Sequence, residues 1–284
     1  MSEPSPDTVE SRPVKPRKPW LAGLSSLLAT GVGQVYNGQW RKGVGFLAAE
    51  LVFGLLMIPF FKDFTSMLIL LAFLLGFNLF VAGEAYATAR GMRAFVPGRS
   101  NRWWIYAAFL AGGLGLGLVF DQVVTGRFYR TYKVPSRSMV PTILVDDHFM
   151  VEILGADDPV ERGDIVIFRS PIGDERDFVK RVIGLPGETV EIQGQAVFID
   201  GVELDEPYAL HAKPGVVPGP DDYGPVIVPE GTCFVLGDNR AESFDSRMFG
   251  PVDRKTITGR ALYIYFPGNA GGEGWGRRLG MKFE

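Results

Sequence analysis

The chain is short of the residues that most often carry hydrolytic chemistry. Its 284 residues include one cysteine, Cys233, and two histidines, His148 and His211. A single cysteine excludes an internal disulfide, and because Cys233 lies in an apolar run, a buried thiol is expected there. Neither histidine has a cysteine or carboxylate partner at metal-ligand spacing. Asp146, Asp147 and His148 read as a polar turn rather than a metal cluster. No metal and no cofactor is therefore expected. Net charge is only −3, which gives no argument for a nucleic-acid partner. The second half of the chain also lacks long windows of helical periodicity.

Apolar residues are abundant by contrast, and they are concentrated between residues 20 and 120. Three segments there, Val44–Phe61, Thr65–Ala85 and Trp103–Phe120, approach the ~20 residues needed to cross a hydrocarbon core. Residues 1–19 are polar, Pro-rich and basic, with Arg12, Lys15, Arg17 and Lys18, and read as a disordered cytoplasmic tail. The loop 86–102 carries Arg90, Arg93, Arg99 and Arg102 and is expected on the cytoplasmic side. Trp103–Phe120 then runs outward and delivers the rest of the chain outside. With the tail inside, Trp20–Tyr36 has both flanks on one side, so it is expected to be re-entrant or interfacial. The competing arrangement is four spans with the tail outside. The string GVGQVYNGQWRKG, 31–43, resembles a small membrane module in which a Gly-rich apolar segment turns into a spanning helix. Glu50 and Asn78 lie within the apolar segments; a carboxyl there is a candidate functional group, and the favoured reading is a protonated Glu50 hydrogen-bonded to a neighbouring helix. Gly113 and Gly117 form a small-xxx-small pair, suited either to helix packing or to lipid contact.

From about residue 128 the pattern changes to short β-rich runs separated by Gly, Pro and Asp. Examples are DIVIF at 164–168, TVEI at 189–192, AVFID at 196–200, CFVLGD at 233–238 and RALYIYF at 260–266. These predict an all-β domain of many short strands. Three motifs lie within it: VPSRSMVPTI at 134–143, DFVKRVIGLPGE at 177–188 and LGDNRAESFDSR at 236–247. A serine nucleophile needs a base, and no histidine sits in any of the three. A lysine can serve if it is held neutral.

In order, residue chemistry and separation, the three motifs resemble those of bacterial type I signal peptidases, over roughly residues 128–284. The apolar segments supply a multi-helix membrane anchor, and the resemblance implies an all-β extracytoplasmic catalytic domain after it, with a smaller β insertion at about 190–232. It implies a Ser/Lys dyad, with Ser138 as nucleophile and Lys180 as general base. Ser136 matches a hydroxyl that helps hold the oxyanion beside the Ser138 backbone N–H, and alternation on an extended chain would point both serines the same way. Ser243 matches the residue that hydrogen-bonds the lysine, and Asp245 a carboxylate that pairs with a nearby arginine, here Arg247. Lys180 starts from a reference pKa of ~10.4 and must be brought to roughly 7–8. Arg181, next on the strand, should face the opposite way.

Substrate would dock as an extended peptide between the segment before Ser138 and the strand carrying Lys180. Val134, Pro135, Met139, Ile143, Phe178 and Val179 would line shallow pockets that select small side chains. The implied partners are signal-peptide-bearing preproteins, membrane lipid and the secretion translocon, at the bacterial cytoplasmic (inner) membrane. The basic C-terminal stretch WGRRLG, 275–280, is read either as a headgroup contact or as a frayed end. Two other readings stand beside this one: a self-cleaving Ser/Lys regulator, which the apolar segments disfavour, and a non-catalytic membrane protein on a peptidase scaffold.

Overall fold

The computed structural model describes residues 16–96, 98, 101–173, 176–211, 222–268 and 274–283. Most of the basic tail, Arg99 and residues 212–221 of the expected insertion lie outside the described residues. The chain divides into two compact units, Met1–Phe60 with Met67–Gln122, and Phe61–Ser66 with Val123–Glu284.

The first unit is helical. Its elements are α1 (Pro19–Leu28), α2 (Val32–Tyr36), α3 (Trp40–Leu56), α4 (Phe64–Gly91) and α5 (Trp103–Arg127), the last two running on into the second unit. Trp20–Tyr36 is not one helix. It breaks at Ala29, whose backbone is extended, and turns at Gly31, where φ is 91°. A Cβ on Gly33 would lie 2.1 Å from the Ala22 carbonyl oxygen and 2.8 Å from the Ala85 methyl. Glycine is therefore what lets α2 pass against α1 and α4. The polar groups of this pair of short helices face inward. Ser26 Oγ donates to Gln34 Oε1, and Gln34 Nε2 donates to the Val81 carbonyl and to Glu84. Asn37 Nδ2 donates to the Ala85 carbonyl. Asn78 Nδ2 donates to Glu50 at 3.2 Å and so links α4 to α3, while Thr30 donates to Asn78 Oδ1.

Two helices, α4 over Phe64–Gly91 and α5 over Trp103–Val124, are long and apolar enough to cross a membrane. The third segment expected to span, Val44–Phe61, differs. It folds as the 17-residue α3 and then tightens into a 3₁₀ turn over Ile58–Lys62. Seventeen residues at 1.5 Å each give a helix of about 25 Å, at the lower end of the roughly 17–25 residues that a spanning helix uses.

The second unit is built on β1 (Tyr129–Lys133), β2 (His148–Ile153), β3 (Ile165–Arg169), β4 (Asp177–Gly184), β9 (Thr232–Leu236), β10 (Val252–Asp253) and β11 (Ile257–Phe266). They form a seven-stranded sheet in the order β1-β2-β11-β3-β4-β9-β10, antiparallel at every pairing. The strands β5 (Thr189–Gln193), β6 (Ala196–Ile199), β7 (Val202–Glu203) and β8 (Tyr223–Ile227) make a separate four-stranded sheet inserted between β4 and β9. Both faces of the large sheet are covered, which is why β3 is an unbroken apolar run. Its Ile165 and Ile167 join one core with Phe149, Val151 and Ile264. Val166 and Phe168 join another, with Val182, Cys233 and Val235.

Candidate active site

The first motif leaves β1 and does not stay extended. It bends at Ser136–Arg137 and turns at Ser138–Val140. Backbone bonds close it: Val140 N–H to the Arg137 carbonyl at 3.1 Å and Ile143 N–H to the Met139 carbonyl at 2.8 Å. Ser136 Oγ nevertheless lies 3.3 Å from Ser138 Oγ. The two hydroxyls are brought together by the bend, not by strand alternation as the sequence suggested. Among the described residues, no acceptor is bonded to the Ser138 backbone N–H. The Ser138 carbonyl accepts from Asn239 N–H at 3.0 Å, and Asn239 Nδ2 donates to the Arg137 carbonyl. The turn at 237–240 thus grips the Ser138 segment from behind.

Lys180 reaches the same point from β4. Its Nζ donates to Ser138 Oγ at 2.9 Å and to the Val179 carbonyl at 3.0 Å. The side chain is 4 % exposed and its Nζ lies 5.6 Å from the centre of the Phe178 ring. Burial disfavours the ammonium and pushes its pKa down to about 8, against the opposing pull of Asp245 and Asp238.

Around this pair lies a pocket of about 300 Å³ lined by Val134, Pro135, Met139, Phe178 and Val179 with both serines and the lysine. Ile143 is absent from its lining. That residue is 0 % exposed and packs in the core beside Phe149 and Val151, because the turn after Ser138 aims it inward. Phe244 and Tyr132 line the pocket instead. Two strand edges border it. Among the described residues, β1 pairs only with β2, and Asp177–Lys180 of β4 pair only with β3, since β9 joins β4 from Arg181 onward. Tyr132 Oη donates to Asp177 at 3.0 Å across the gap.

Asp245 caps the short α6 (Ser246–Phe249). It accepts from Arg247 Nε and Nη2, both at 2.9 Å, and from Gly237 N–H at 3.1 Å. The Ser243 hydroxyl is buried beside them, yet it makes no hydrogen bond, to Lys180 or to any other described group. The expected lysine contact is therefore not formed in this conformation. The turn is tightly packed here. A Cβ on Gly237 would lie 2.2 Å from Ser243 Oγ and 2.5 Å from the Ser138 carbonyl oxygen.

The model of the family described as "Signal peptidase, peptidase S26" matches residues 102–266. The chain is 42 % identical over 171 residues to a signal peptidase I of Leptolyngbya laminosa, covering 56 % of this chain and 80 % of that one. It is 37 % identical over 169 residues to signal peptidase I S of Bacillus subtilis, covering 56 % and 89 %. The chain belongs to the signal peptidase family. A crystal structure of a signal peptidase I from Enterococcus faecalis is 40 % identical and aligns over 36 % of this chain and 97 % of that one, with a TM-score of 0.32.

Two buried ion pairs in this signal peptidase family member were not foreseen from the sequence. Arg181 does face away from Lys180, but into a buried bidentate pair with Asp238, Nε to Oδ1 and Nη2 to Oδ2 both at 2.9 Å. The two side chains are 1 % and 0 % exposed. Tyr208 stacks on the guanidinium at 3.9 Å, and Thr142 Oγ1 donates to Asp238. Arg240 pairs likewise with Glu206 at 2.7 Å. The available signal was the presence of full charges inside otherwise apolar strand motifs, where burial demands a partner.

Proposed function

We propose that this protein is a membrane-anchored serine endopeptidase that removes N-terminal signal peptides from exported preproteins, cleaving after an A-x-A-like site. The observation that carries the reading is the 2.9 Å contact between Lys180 Nζ and Ser138 Oγ, with the lysine buried and its pKa lowered to about 8. A neutral amine at that distance accepts the serine proton as Oγ attacks the scissile carbonyl. The oxyanion forms within reach of the free Ser138 backbone N–H and the Ser136 hydroxyl, and such donors are worth about 3–4 kcal/mol each. Lys180 then returns the proton to the leaving amine. It next deprotonates the water that hydrolyses the acyl-enzyme. The substrate strand lies between the free edges of β1 and β4, and the small apolar pocket suits an alanine side chain.

The same reading sets the topology. In it α3 with the 3₁₀ turn that follows it, α4 and α5 cross the inner membrane of a bacterial cell, and the loop with Arg90, Arg93 and Arg102 is cytoplasmic. The β unit lies outside, residues 128–284 forming the catalytic domain. Two features support this arrangement. The Phe61–Ser66 connection between α3 and α4 belongs to the β unit, where the Phe61 carbonyl accepts from Tyr263 Oη at 2.8 Å. The break between α1 and α2, with its inward-facing Ser26, Gln34 and Asn37, favours a re-entrant Trp20–Tyr36. Membrane lipid and the secretion translocon are the accompanying partners.

The test is cleavage of a purified exported precursor in detergent by wild type, Ser138→Ala and Lys180→Ala. Cleavage after the A-x-A site by wild type alone is the expected result. Equal cleavage by all three would overturn the dyad. No cleavage by any folded variant would favour a non-catalytic scaffold.

A further inference from the structure

The C-terminal residues beyond the matched region return to the nucleophile loop. Met281 and Phe283 pair back onto β11, through Ile264 N–H to the Met281 carbonyl and Phe283 N–H to the Leu262 carbonyl. The short helix α7 (Trp275–Arg278) ends on Arg278, and that guanidinium is directed at the loop between Ser138 and β2. It forms an ion pair with Asp147, donates to the Thr142 carbonyl at 3.1 Å and lies 3.4 Å from the Pro141 carbonyl. Asp147 is 0 % exposed and closes the loop on itself. It accepts from Leu144 N–H at 2.7 Å and from Gly268 N–H at 2.9 Å, while its own carbonyl accepts from Val134 N–H. Thr142, held by Arg278 through its carbonyl, uses its hydroxyl to bond Asp238, the partner of Arg181 next to Lys180.

Both ends of the loop that presents Ser138 are thereby tied down. One tie runs to the C-terminal strap and the other to the strand of the base. We infer that Arg278 is a positioning residue for the nucleophile: it acts through Asp147 and Thr142 to hold the 139–147 loop in the shape that sets Ser138 Oγ against Lys180. This rests on the Ser138/Lys180 reading above. The strap is itself seated on the far side by the Phe61–Ser66 segment. Lys282 pairs with Asp63 at 2.7 Å, and a Cβ on Gly280 would meet the Phe64 ring at 2.4 Å.

A merely stabilising ion pair and a positioning clamp differ in what a lysine restores. Lysine at 278 keeps a cation for Asp147 but has no planar fork to hold the two carbonyls as well. The experiment measures kcat, KM and thermal midpoint of the full-length protein in detergent for wild type, Arg278→Lys and Arg278→Ala, with Ser138→Ala as control. Activity is read well below each midpoint. The expected result is that Arg278→Lys melts close to wild type while its kcat falls roughly 10- to 100-fold, as misplacement of a reacting group by about 1 Å would cause. KM should stay within about twofold. Wild-type kcat in Arg278→Lys would overturn the inference, as would a loss in Arg278→Ala that tracks the unfolded fraction alone. If Arg278→Ala does not fold, Arg278→Lys alone decides. Residual cleavage by Ser138→Ala would instead overturn the dyad reading on which the inference stands.

Discussion

Lys180 is held between two opposed effects. Burial favours the amine, whereas Asp245 and Asp238 favour the ammonium, and burial wins, to about 8. If Lys180 is the base, as proposed, its reactive form is the neutral one, and kcat/KM should rise with pH and level off above an apparent pKa near 8, in a profile measured on a peptide substrate. The same shift makes stability depend on pH. Between about 8 and 10.5 the unfolded chain holds a proton that the folded chain has released, so wild type gains stability as pH rises through that window. The full gain is about 3 kcal/mol. Lys180→Met lacks this dependence, so its stability advantage at pH 7 should shrink by that amount as pH approaches 10.5, as followed by denaturant melts. Gly237 is the other residue with a sharp expectation. A methyl there would collide with Ser243 and with the Ser138 carbonyl, so Gly237→Ala should lose on the order of 100-fold in kcat while staying folded.

At the scale of elements, β4 carries both the proposed base and its support. Alternation sends Lys180 to the pocket and Arg181 to the opposite side, where it meets Asp238 from the turn after β9. Removing only the arginine leaves a buried carboxylate unpaired, so Arg181→Met should destabilise by about 3–5 kcal/mol. Replacing both partners, Arg181→Met with Asp238→Leu, should cost less than Arg181→Met alone, as a double-mutant cycle by denaturant melts would read out. The short strands were legible because each is a local run of β-formers bounded by turn residues: DIVIF became β3 and RALYIYF the second part of β11. The bend at Ser136–Ser138 was not legible. It depends on closure of the loop by Asp147 and on the grip of Asn239 from another motif.

At the scale of the whole molecule, topology is open to a direct measurement. Cys233 is buried, so single cysteines can be introduced at exposed positions and labelled with a membrane-impermeant maleimide in intact cells and in inverted vesicles. Glu230→Cys should react from outside, and Gly98→Cys and Lys18→Cys only from inside. Labelling of Lys18→Cys from outside would replace the re-entrant Trp20–Tyr36 with an additional span.

The sequence by itself determined where the serine, lysine and carboxylate motifs stand, the short β-rich runs and the apolar character of residues 20–120, because each is written in a window of a few residues. It placed Ile143 in the pocket because an apolar residue near a nucleophile looks the same facing out or in. Tertiary structure decided the rest. The approach of Ser138 to Lys180 across 42 residues, and of Arg278 to Asp147 across 131, are set by sheet register and chain return. The buried pairing of Arg181 with Asp238, across 57 residues, is likewise a product of the fold. No local period encodes such distances: they exist only once the strands are paired and the loops between them closed.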